Sequence, residues 1–93
     1  MVTPVRVYLQ GEFRGHAVMD FADPGSRGRT LRVDDPPGTP IALTTVSSEF
    51  LENLTPQEVI EALLRYDLAG RMRKAGPHVR VIVTTSGLRS EPV

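Results

Sequence analysis

The chain has 93 residues, 40% of them apolar, with eight Gly, eight Pro, no cysteine and a formal charge of zero. That length holds one core of modest thickness. The absence of thiols excludes disulfides, thiolate metal sites and a cysteine nucleophile, and a cytoplasmic protein is expected.

The opening MVTPVRVYLQGEF has no basic region leading into an apolar run, so it is not read as a signal peptide. No apolar run approaches the ~20 residues that span a bilayer. Val5, Val7 and Leu9 alternate with Arg6, Tyr8 and Gln10, which predicts a half-buried first strand. A turn at Gly11 leads into a second strand over Phe13 to Phe21. The Asp23-Pro24-Gly25-Ser26 turn returns the chain into a third strand, Arg29 to Val33. The proline-rich stretch Asp34 to Pro40 reads as a stiff loop, and Ile41 to Val46 as a fourth strand.

Ser47 and Ser48 precede Glu49-Phe50-Leu51-Glu52, a short helical turn with a good cap. Thr55, Pro56 and Glu58 then form the signature of a capping box with proline at the first helical position. Ile60, Leu63, Leu64, Leu68, Met72 and Ala75 recur at helical spacing, which predicts one helix over Pro56 to Ala75 with a bend at Gly70. His78 to Thr85 is the most apolar strand, and a central place is expected for it. A crossover from the fourth strand through the helices makes those two strands parallel neighbours. Residues 88–93 read as a flexible C-terminal tail.

The expected fold is α+β: a two-layer sandwich with a five-stranded mixed sheet in the order β-β-β-β-α-α-β, helices on one face, and a single domain over residues 1–87. In that arrangement the uncovered sheet face carries Tyr8, Val18, Val46 and Ile82. These four form the expected self-association face, because contiguous exposed apolar surface marks contacts.

Charge is segregated along the chain. Residues 1–33 carry +2, residues 34–64 carry −6 with no Lys or Arg, and residues 65–93 carry +4. Arg27, Arg29 and Arg32 flank a turn, and Arg71, Arg73 and Lys74 close the long helix. Together they are the candidate anion or nucleic-acid contact. The second cluster also suits the negative end of its own helix.

Catalytic groupings do not emerge. On one strand, His16 and Asp20 lie ~13 Å apart, too far for a dyad. Asp34-Asp35 has no third ligand in register, and His78 reads as a strand boundary. Thr84-Thr85-Ser86-Gly87 resembles a phosphate nest but has no helix behind it. No cofactor or metal is expected. The leading reading is a small non-enzymatic interaction protein, self-associating or part of a larger assembly. The alternatives are a nucleic-acid-associated accessory protein using those arginines, and a small enzyme with an intersubunit site.

Overall fold

In the computed structural model, which describes residues 2–22, 28–36 and 38–92, the chain opens on a helix rather than a strand. Helix α1 spans Thr3–Glu12 and buries Pro4, Val5, Tyr8 and Leu9. The strand expected over residues 5–10 is therefore corrected. Val5, Tyr8 and Leu9 sit at i, i+3 and i+4, so they share a helical face as readily as Val5, Val7 and Leu9 share a strand face. Val7 points outward, 53% exposed.

Strand β1 covers only Ala17–Ala22, because Phe13 to His16 form a turn with Gly15 at φ +80°. Strands β2 (Arg29–Asp35) and β3 (Thr39–Val46) pair antiparallel. β3 starts earlier than expected and includes Pro40. A register shift between Val33 and Asp34 lies opposite it, where a residue without an N–H is tolerated.

Two short helical segments follow. Helix α2 (Ser48–Asn53) is capped by Ser47, whose hydroxyl accepts from the Phe50 N–H, and it drives Phe50 fully into the core. Helix α3 (Pro56–Tyr66) carries the predicted capping box in full. The Glu58 N–H donates to Thr55 Oγ1 at 3.2 Å, and the Thr55 N–H donates to Glu58 Oε1 at 2.9 Å. That second bond, with help from the Thr55 hydroxyl, lowers the Glu58 pKa below the ordinary glutamate range. A carboxyl whose folded pKa is depressed stabilises the fold above its unfolded pKa, and that contribution disappears as pH falls through the folded value. Glu58→Gln is thus expected to lower the thermal midpoint at neutral pH. The gap to wild type should close as the pH drops through the carboxylate range, measured by thermal denaturation across pH. A constant gap would remove the charge from the explanation.

The long helix does not run through. It breaks at Asp67, the only described non-glycine residue with positive φ (53°), and resumes as α4, Leu68–Ala75. The expected bend at Gly70 is corrected to a break three residues earlier. Asp tolerates the left-handed region, and its carboxylate caps α4 by accepting from the Gly70 N–H. A Cβ at Gly70 would collide with that carboxylate. Inside the core, the Tyr8 hydroxyl accepts from the Ala69 N–H at 3.1 Å, tying α1 to the first turn of α4. Burial raises the Tyr8 pKa, so the ring stays neutral where it is packed.

Strand β4 (Val79–Thr84) pairs parallel to β3, as the crossover requires. The region expected to be a loose tail is instead strand β5, Gly87–Pro92, antiparallel to β4 across the Thr85-Ser86 turn. The sheet therefore has five strands in sequential order, β1-β2-β3-β4-β5, with only the β3–β4 junction parallel. The helices pack on one face, and the two-layer α+β arrangement stands. Its first element is a helix and its last two are strands.

Candidate functional site

Pairing register assigns each strand residue to a face, because directly opposed residues point the same way and neighbours along a strand alternate. Val18 lies opposite Val33, which lies opposite Ala42. Leu31 opposes Thr44, and Thr44 opposes Val81. These residues, with Val46 and Val83, meet the helices and are buried. Thr44 is the polar exception, and its hydroxyl is satisfied by donating to the Val81 carbonyl at 2.8 Å.

Among the described residues, no helix lies on the opposite face. Two rows of side chains cross it from β1 to β5. One row runs Phe21, Thr30, Thr45, Ile82, Arg89. The other runs Met19, Arg32, Leu43, Arg80, Glu91. The β1 end is apolar and open, with Met19 42% and Phe21 41% exposed. The β5 end is charged.

The interior of this face is already ordered. Thr30 and Thr45 share a hydroxyl hydrogen bond at 2.9 Å. Arg32 forms a two-pronged pair with Asp34 at 2.8 and 3.0 Å, and its guanidinium lies 5.3 Å over the Phe21 ring. Glu91 receives Arg80 at 3.4 Å and Arg89 at 3.3 Å. Ile82 is buried beneath these long side chains, yet it is absent from the main core cluster. Paired, flattened arginines cover apolar surface with their methylene stems.

The four residues expected to form the self-association face are therefore divided. Tyr8, Val18 and Val46 are buried under the helices, and only Ile82 lies on the open face. The misread first strand causes this. Once residues 3–12 form a helix, Tyr8 leaves the sheet altogether, and Val18 and Val46 turn toward the covered side. Met19, Phe21 and Leu43 take their place. Periodicity could have found them, since Met19 and Phe21 alternate with Val18 and Asp20 on β1.

The six candidate anion contacts are not gathered on one surface. Arg27 lies outside the described residues. Arg29 and Arg32 occupy opposite faces of β2 and are each committed to a carboxylate, Asp20 and Asp34. Arg73 donates to the Glu12 carbonyl at 2.6 Å and stacks over Phe13 at 4.7 Å, closing the end of α1. Arg71 reaches Ser90 on β5 at 3.5 Å. Of the five described members, Lys74, in the last turn of α4, is the one without an ion pair or hydrogen bond.

The histidine and hydroxyl candidates also find structural roles. His16 pairs with Asp35 rather than Asp20, joining the start of β1 to the end of β2. The Thr84–Gly87 segment is a hairpin turn whose groups bond internally, Ser86 N–H to Thr84 Oγ1 and Thr84 hydroxyl to the Gly87 carbonyl. Among the described residues, no three His, Asp or Glu side chains gather as a metal-binding set. No described helix is long and apolar enough to cross a membrane.

The chain matches no protein-family model, no curated protein and no solved structure.

Proposed function

We propose that this is a small non-enzymatic interaction protein that works by self-association or as a subunit of a larger assembly, with the open sheet face as its contact surface. One observation carries the reading. A sheet face bearing Met19 and Phe21, each more than 40% exposed, has no helix packed on it among the described residues. An antiparallel region can present one solvated face, but such faces are ordinarily polar. Here the rows place Phe21, Ile82, Met19 and Leu43 among arginines that are already paired and partly desolvated. Apolar and Arg-rich surface with few unpaired charges is what interface centres are made of.

The charge distribution adds a second element. The exposed glutamates of α2 and α3, namely Glu49, Glu52, Glu58 and Glu61, sit in the helix layer and form no ion pair among the described residues. The open face on the other side carries Arg32, Arg80 and Arg89. The glutamates thus make a local acidic patch on α2 and α3, which suits a partner surface rich in arginine.

Mass by light scattering after size exclusion, at low and high salt and over a range of concentrations, tests the reading. A dimer or larger species is expected to persist in salt and to fall apart in Phe21→Ser and Met19→Ser, which leave the helix-side core untouched. A monomer at every concentration with no copurifying partner would overturn it.

A further inference from the structure

We infer that the open faces of two copies stack on each other about a two-fold axis that lies between the sheets and runs across the strands, between the two rows of side chains. The inference rests on the self-association reading and adds to it the partner, its orientation and the residues that meet.

The complementarity comes from the rows themselves. A two-fold axis in that position lays each row of one copy over the other row of the second. Phe21 then faces the second copy's Met19, and Thr45 faces the second copy's Leu43. Ile82 meets the stem of the second copy's Arg80, and Arg89 faces the second copy's Glu91. The apolar β1 ends meet each other, Arg32 faces the second copy's Thr30, and on β5 itself each charge meets its opposite. The order of the rows follows from the pairing registers alone. Stacked sheets lie ~10 Å apart, within reach of these side chains. Their strands keep within about 30° of one another, which this axis permits.

Two other symmetric arrangements fit less well. An axis running along the strands would place β1 of one copy over β5 of the other. Met19 and Phe21 would then cover Arg89 and Glu91, removing charge from water without a new partner. Edge-to-edge pairing through β1 would extend the sheet but leave the apolar rows of both copies in solvent. A head-to-tail contact between the acidic α2–α3 patch and the Arg-bearing face is non-closing and would form open chains.

Charge variants on β5 separate these cases. Arg89 and Glu91 have side chains 68% and 41% exposed, so their replacement should leave the fold intact, to be checked by circular dichroism. Glu91→Arg makes that corner wholly positive, and Arg89→Glu makes it wholly negative. In the stacked dimer each variant repels itself, and its dissociation constant should rise roughly tenfold or more. An equimolar mixture of the two variants should recover association, because each positive corner then meets a negative one. Edge pairing predicts no effect of either variant. The head-to-tail chain predicts that Glu91→Arg associates more tightly than wild type.

A spin label on Ser90→Cys in this cysteine-free chain gives a second readout away from the interface. Stacking predicts a label separation below ~30 Å, whereas edge pairing through β1 places the β5 strands more than ~40 Å apart at ~4.8 Å per strand. A dimer that ignores both charge variants, or shows the long distance, overturns the stacking geometry and leaves self-association standing. A monomer throughout overturns both.

Discussion

Leu9→Ala is expected to destabilise the protein by about 2–5 kcal/mol, while Val7→Ala should stay within about 0.5 kcal/mol. The two residues are two apart and similar in size. A strand over residues 5–10 would bury both and make both substitutions costly. The helix buries Leu9 completely and leaves Val7 about half exposed. A Leu at 0% exposure loses its transfer free energy and leaves a cavity under α3, against which α1 packs. A domain of this size holds roughly 5–14 kcal/mol in total, so the Leu9 change consumes a large share of it. Urea unfolding measures both. Equal losses at the two positions would reject the helix and restore the strand.

The same pair shows why part of the fold was legible and part was not. The capping box at Thr55–Glu58 was readable because it depends on four adjacent residues and local hydrogen bonds. β2, β3 and β4 were readable because their β-branched runs lie between strong turn signals, and the parallel β3–β4 junction followed from the helical crossover. Helix α1 was not. It has no side-chain cap bond, no acid in its first turn and no base in its last. Its Val5, Tyr8 and Leu9 spacing competes with an equally good period of two. Tertiary packing against α3 decides between them, and no local window contains that information.

One wrong period carried through to the candidate site. A strand at residues 5–10 placed Tyr8 in the sheet and set the faces of its neighbours, so Val18 and Val46 were turned to the open side with it. The correct faces follow from the pairing of Val18 with Val33 and of Val46 with Val83. Ile82 survived because β4 was placed independently of the N-terminus. The described basic candidates are dispersed for a different reason. Sequence separates Arg29 from Asp20, and Arg73 from Glu12 and Phe13, so their local partners are invisible until the chain folds. An arginine cluster in sequence became a set of structural clamps.

Removing residues 87–93 is expected to have the largest effect of all, leaving the protein insoluble or with most of its stability gone. A flexible tail would predict no change. Strand β5 instead pairs with β4 along its whole length, from Thr84 opposite Gly87 to Val79 opposite Pro92. Its loss removes a ladder whose hydrogen bonds contribute about 0.5–1.5 kcal/mol each. It also removes Leu88, which packs on the core opposite Val83. The exposed strand would then be β4, with Val81, Ile82 and Val83 in a row. In the intact chain the edge is β5, whose Arg89, Glu91 and Pro92 discourage pairing with other molecules. Truncation thus replaces a protected edge with an apolar, aggregation-prone one. Soluble yield and the urea midpoint of the truncated chain, compared with full length at equal concentration, measure both consequences. A soluble truncated chain with an unchanged midpoint would mean that β4 is stable as an edge and that β5 adds nothing to the fold. It would also remove the charged corner through which stacked copies are expected to recognise each other.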